Sequence, residues 1–283
     1  MKKFAVIDIG SNSVRLMFVA DGKVLYKDLR STRIGEGLAL SGALKIEAIE
    51  RSAQAVKAFY DKAKRDGAEE VGAFATAAVR SAKNGQAFLE RVKQLCPLVV
   101  EVVSGETEAE LGVLGALGEK DGALIDIGGA SSELVVKKQG VIVYKKSANI
   151  GVVRIKDAGE NAEKLMQNAL NEYENPPLDK VLYAIGGTAT TLASLYLRLE
   201  KYDSNRVTGT EITAEELKKL IDALNELSVA EIAKLPCMPE GRADVIVGGA
   251  VWLYTLIKRF GIEKIIVSDR DNLEGYAIKK GWL

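Results

Sequence analysis

The sequence predicts an α/β protein made of two copies of one domain, with a cleft between them. Three observations carry this. First, one stretch occurs twice without a gap, as Val6-Ile7-Asp8-Ile9-Gly10-Ser11-Asn12-Ser13-Val14-Arg15-Leu16 and as Leu124-Ile125-Asp126-Ile127-Gly128-Gly129-Ala130-Ser131-Ser132-Glu133-Leu134. Asp8 then corresponds to Asp126, Gly10 to Gly128, Ser13 to Ser131 and Leu16 to Leu134. Second, the same order of elements follows each copy: strand, strand, strand, helix, strand, helix. Third, a chain of 283 residues, 47% of them hydrophobic, suffices for two domains with separate cores.

Each element has its own signal. Residues 4–10 and 14–20 read as a hairpin, and Asp21-Gly22 as the tight turn into a third strand over 23–29. Residues 45–66 carry apolar positions at helical spacing (Ile46, Ile49, Ala53, Val56, Phe59), and Gly67 stops the helix. A buried strand over 70–75 leads into Thr76-Ala77-Ala78-Val79-Arg80. A helix over 84–96 ends at Pro97, and a strand over 98–103 follows. Ser104 then reads as an N-cap, with Glu106, Glu108 and Glu110 suited to a helix start. The polar run 118–122 is the expected junction, giving domains 1–118 and 119–283, with the last helix, about 271–283, packing back on the first domain. In the second half the expectations are the repeated hairpin, a strand over 141–146, a helix over 161–173, and a strand over 181–185 entering Gly186-Gly187-Thr188. Thr213 and Glu216 form a capping box opening a helix over 213–227. A helix over 241–259, a strand over 265–267 and a helix over 273–280 complete the chain.

Composition narrows the chemistry. Lys plus Arg equals Asp plus Glu, 39 of each, which argues against a protein that binds DNA mainly by charge. A local basic cleft for an anionic substrate remains compatible with neutrality. No apolar run approaches the ~20 residues of a membrane span, and the N-terminus lacks a cleavable signal pattern, so the expected location is cytoplasmic. Cys96 and Cys237 are isolated thiols. There is no histidine, which excludes Ser-His-Asp and Cys-His nucleophiles and histidine-rich metal centres. Catalysis would rely on carboxylates, Lys or Arg, hydroxyls and a metal held by oxygen.

The two hairpin turns are the candidate phosphate sites. Successive N–H groups in Gly10-Ser11-Asn12-Ser13 and in Gly128-Gly129-Ala130-Ser131, with their hydroxyls, form concavities that attract anions. Asp8 and Asp126 end apolar strands, where an unpaired carboxylate costs several kcal/mol, so each is a candidate for Mg²⁺. Glu133 stands where the first copy has Arg15, so the second hairpin is the more acidic and is the assigned metal side. Gly186-Gly187-Thr188 before a helix is a further anion-binding turn. Arg80 and Arg242 are candidates for bidentate phosphate contacts. A glutamate of the 106–110 run can act as general base where burial or anionic neighbours raise its pKa.

These motifs resemble those of the Ppx/GppA family of exopolyphosphatases and guanosine pentaphosphate phosphohydrolases, within the actin–hexokinase–Hsp70 superfamily. The Asp8–Ser13 stretch is similar to its first phosphate loop and Asp126–Leu134 to its second. Thr76–Arg80, Ser104–Ala109, Gly151-Val152-Val153-Arg154, Gly186–Thr188, Arg242–Ile246 and Val267-Ser268-Asp269 continue in the family's order. The resemblance implies duplicated actin-like (ribonuclease H-like) domains, Glu108 as catalytic base, and Asp126 and Glu133 tied to Mg²⁺ and the attacking water. It implies release of terminal phosphate from polyphosphate or pppGpp, and a homodimer. The rivals are a kinase of the same superfamily and a non-catalytic sensor of polyphosphate or nucleotide. Several positions depart from the family pattern. Thr107 replaces a Glu, Glu110 an Arg, Thr208 a frequent His and Leu273 an Arg. Ala130 replaces a glycine, where a left-handed backbone would cost about 1 kcal/mol. Glu110, as a sign change beside the base, is expected to weaken polyanion binding.

Overall fold

The computed structural model describes residues 2–283. Two mixed sheets hold the chain. The first contains β1 (Lys3–Ile9), β2 (Ser13–Ala20), β3 (Lys23–Ser31), β4 (Glu70–Ala75) and β5 (Val100–Val102), in the order β3-β2-β1-β4-β5. The second contains β6 (Gly122–Ile127), β7 (Ser132–Lys138), β8 (Val141–Ala148), β9 (Val181–Ile185), β10 (Glu211–Thr213) and β11 (Lys264–Val267), in the order β10-β11-β9-β6-β7-β8. Apart from β10, the second sheet repeats the first strand for strand. β1–β2–β3 and β6–β7–β8 are antiparallel, whereas β4 joins β1 and β9 joins β6 in parallel.

The near-continuous apolar runs of β1 and β6 follow from burial on both faces, and alternation then sorts the side chains. Ala5, Ile7 and Ile9 enter one core with Val56 and Phe59 of helix Ile46–Arg65. Val6 points the other way, toward Leu273, Tyr276 and Ala277 of helix Asn272–Lys279. In the second sheet Ala123, Ile125 and Ile127 meet Leu192 and Trp252, while Leu124 meets Ala109 and Val113 of helix Gly105–Ala116. Helices Gly105–Ala116 and Asn272–Lys279 thus lie between the sheets, and Leu111 of the former joins the core of the latter.

Some boundaries differ from the sequence reading. The helix expected over 241–259 runs from Ile246 to Phe260, because Gly241 is left-handed (φ 70°) and a turn closes from the Arg242 N–H to the Pro239 carbonyl. The strand expected over 98–103 shortens to β5, and Thr76–Arg80 enters a short helix, Ala77–Ser81. The short edge strand β10 and helix Val152–Ala158 were not anticipated. Among the described residues no helix is long and apolar enough to cross a membrane.

Candidate active site

Both hairpin turns close in the same way. The Gly10 N–H donates to the Ser13 carbonyl and the Gly128 N–H to the Ser131 carbonyl, each at 3.0 Å. Their tips meet: a side chain on Gly129 would stand 2.7 Å from Ser11 Cβ. Together they floor a cavity of about 1310 Å³ between the two sheets. Asp8, Gly10–Ser13, Thr76, Glu108, Asp126, Gly128–Ser131, Gly186–Thr188 and Arg242 all line it. Two expected residues do not line it. Glu133 is 1% exposed, and Arg80 donates through Nη1 to the Val103 carbonyl (2.8 Å) and to Glu108 Oε2 (3.3 Å). Ala130 has no positive φ, so the strain considered for it does not arise.

Glu108 is held by helix Gly105–Ala116, which Ser104 caps by accepting from the Thr107 N–H. Its carboxyl is 7% exposed and its pKa is pushed well above the usual range, by burial first and then by the Glu133 charge, against the pull of Arg80. Glu133 accepts from Ser147 Oγ at 2.7 Å through Oε1, and its Oε2 has no partner. Glu110 faces away from the cleft and pairs with Lys145 at 2.9 Å; it is therefore not a charge beside the base. Thr107 is absent from the lining, its hydroxyl 3.1 Å from Ser104 Oγ.

The strand-end carboxylates differ. Asp8 and Arg15 are cross-strand partners and form an ion pair, and Arg15 also pairs with Asp271. Asp126 has Glu133 as its cross-strand partner, and burial together with that charge raises it to about 7. Its Oδ2 accepts from Asn272 Nδ2 at 2.9 Å. Among the described residues no three His, Cys, Asp or Glu side chains converge as a ready-made cage for a metal. Mg²⁺ ordinarily needs less, namely one or two carboxylates with waters and substrate phosphate. The all-oxygen donor set fits it, and Asp8 Oδ1 is buried with no hydrogen-bond partner.

Two cleft groups lack counterparts. Arg242 is 7% exposed and its guanidinium makes no ion pair or hydrogen bond among the described residues, with Nε buried and unpartnered. Burial lowers its pKa to about 10, so it stays cationic at neutral pH. It lies against Gly187, where any side chain would overlap it. Asn12 is 6% exposed, and neither its Nδ2 nor its Oδ1 has a partner. The sequence reading placed no role on Asp271 or Asn272. Their one local signal is the capping box of Asp271 with Glu274, which predicts a helix start and nothing more.

The model of the Ppx/GppA phosphatase family matches residues 19–280. A bifunctional 3-dehydroquinate synthase/phosphatase of Fusobacterium nucleatum is 32% identical over 98% of this chain, which spans 46% of that protein's length. Exopolyphosphatase 2 of Mycobacterium tuberculosis is 29% identical over 98% of both chains. The Aquifex aeolicus PPX-GPPA enzyme superposes with a TM-score of 0.78 at 32% identity, covering 98% of this chain and 99% of that one. An exopolyphosphatase from Cytophaga hutchinsonii superposes at 0.83 and 25% identity, covering 99% and 98%. The duplicated two-sheet α/β architecture is the actin-like fold of these structures.

Proposed function

Because this chain belongs to the Ppx/GppA phosphatase family, we propose that its cleft hydrolyses the terminal phosphoanhydride of a polyphosphate chain, with pppGpp as the alternative substrate. The observation that carries this reading is Arg242. A guanidinium buried in a cleft wall without a counter-ion is costly unless an anion completes it. The glycine and serine loops on either side offer the N–H and O–H donors that the same anion would need.

In this reading the terminal phosphoryl sits between loops Gly10–Ser13 and Gly128–Ser131. Gly186–Thr188 and Arg242 take the next phosphates. Glu108 accepts the proton of a water whose oxygen bonds to phosphorus in line as the bridging P–O bond breaks, giving orthophosphate and a chain one unit shorter. Its pKa, raised above the ordinary carboxylate range, makes its carboxylate a stronger base than an exposed one. Asp126 and Asp8 are the residues that would hold Mg²⁺, which when bound neutralises phosphate charge. Glu133, outside the cleft lining, acts on the basicity of Glu108. Thr107 and Glu110, two of the departures from the family pattern, lie off the cleft lining and leave the hydrolytic reading intact.

The test is phosphate release from long-chain polyphosphate and from pppGpp with Mg²⁺, for wild type and Glu108→Ala. Release lost in the variant supports the assignment. Release that Glu108→Ala leaves unchanged removes Glu108 from the mechanism, and no release by wild type removes the hydrolase.

A further inference from the structure

A largely buried chain of polar contacts, with one step along the backbone, joins the two strand-end aspartates of the duplicated hairpins. Asp8 pairs with Arg15, and Arg15 pairs with Asp271 across the domain boundary. Asp271 caps helix Asn272–Lys279 by accepting from the Leu273 N–H at 3.0 Å. The next residue, Asn272, is 3% exposed and donates through Nδ2 to Asp126 Oδ2 at 2.9 Å. Its Oδ1 has no partner. An unsatisfied buried amide oxygen costs about 1–3 kcal/mol. Leu273 and Tyr276 anchor the same helix in the core beneath β1, so packing against the first sheet fixes where Asn272 stands.

We propose that Asn272 is a positioning residue for Asp126: its side-chain amide, set by the Arg15–Asp271 ion pair and the packing of its helix on the first domain, holds the Asp126 carboxylate of the second domain in its working orientation. This deepens, and rests on, the phosphohydrolase reading above. Asn272 lines the cleft beside Asp126, and its one side-chain hydrogen bond goes to that carboxylate, so its role is assigned through Asp126 rather than on the phosphate. An apolar side chain of similar size would fill the space and remove the one hydrogen bond.

The variants are Asn272→Leu, Asp126→Ala and their double mutant, with long-chain polyphosphate and Mg²⁺ as the assay. Losing the partner that orients a functional carboxylate ordinarily costs 10- to 100-fold. Asn272→Leu is therefore expected to lower kcat about 10- to 100-fold with KM within about two-fold. Added to Asp126→Ala, it should cost less than about two-fold more, because its effect passes through the group already removed. A merely structural role would multiply the two losses. A wild-type kcat in Asn272→Leu, or multiplied losses, overturns the proposal. A crystal structure of Asn272→Leu supplies a readout independent of turnover: a reoriented Asp126 carboxylate supports the positioning role, and an unmoved one overturns it whatever the activity. Wild-type silence toward polyphosphate and pppGpp would instead overturn the proposed reaction.

Discussion

Replacing Arg242 with methionine should make the empty protein more stable and the enzyme worse. The two effects have opposite signs because one charge causes both. Burial first, and repulsion from Arg15 second, depress the guanidinium pKa below its ordinary value to about 10, which corresponds to roughly 3 kcal/mol of unrelieved charge. Since the folded-state value lies below the unfolded one, this penalty is present throughout the range below about pH 10 and fades only as pH climbs above it. Methionine is flexible enough to fill most of the space left by the arginine stem, so about 1–3 kcal/mol of the penalty should return as stability. Binding moves the other way. Losing charge-assisted hydrogen bonds to phosphate, each worth about 1.5–3 kcal/mol, should raise KM for polyphosphate 10-fold or more. The assay is thermal unfolding with and without tripolyphosphate. At 100 times the wild-type Kd, tripolyphosphate should stabilise wild type by about 2.7 kcal/mol and Arg242→Met, with affinity 10-fold weaker, by only about 1.4 kcal/mol or less. A variant that melts below wild type when empty, yet gains as much from tripolyphosphate, would refute the argument.

Four further outcomes are expected. Glu108→Gln, which keeps shape and removes basicity, should lower kcat 10²- to 10⁴-fold. In the wild type the acid limb of kcat/KM should lie above the ordinary carboxylate range, rising with pH as Glu108 loses its proton, and initial-rate pH profiles check both. Glu110→Arg should leave phosphate release within about two-fold, because Glu110 pairs with Lys145 on the outward side of its helix, and a steady-state assay decides it. Asp244 pairs with Arg33 and Lys156; burial raises its pKa, but these two cations outweigh burial and hold it below the usual range. Its contribution to stability is then present above about pH 4 and lost as pH falls through the lower folded value, so Asp244→Asn should cost about 1 kcal/mol at pH 7 and less in acid, read by urea unfolding.

The duplication made much of the fold legible in advance. Asp8–Leu16 and Asp126–Leu134 align without a gap, and hairpins that share a turn chemistry share a topology. What escaped was carried by contacts between distant residues. Arg15 and Asp271 meet from opposite ends of the chain, and no periodicity announces such a pair. Asp271 looks locally like a helix cap, which it is, and the cap conceals its second role. Glu110 could have been placed correctly from geometry alone. Residues two apart on a helix point about 200° apart, so a buried Glu108 forces Glu110 outward.

The deepest asymmetry of the site comes down to one cross-strand position. Directly opposed residues of an antiparallel pair share a face, so position 15 presents its charge to Asp8 as position 133 does to Asp126. In the first hairpin that charge is a guanidinium, and Asp8 is neutralised within the protein. In the second it is a carboxylate, and Asp126 is driven up to about 7 by burial and by its neighbour. Two buried carboxylates facing one another ask for a proton or a cation from outside. The first hairpin thus carries its own counter-charge, with Asp8 Oδ1 still open, whereas the carboxylates of the second face each other without an ion pair to Asp126 among the described residues. Duplication supplied two equal cradles; a single reversal of sign left the strand-end aspartate of one of them facing a carboxylate instead of a guanidinium.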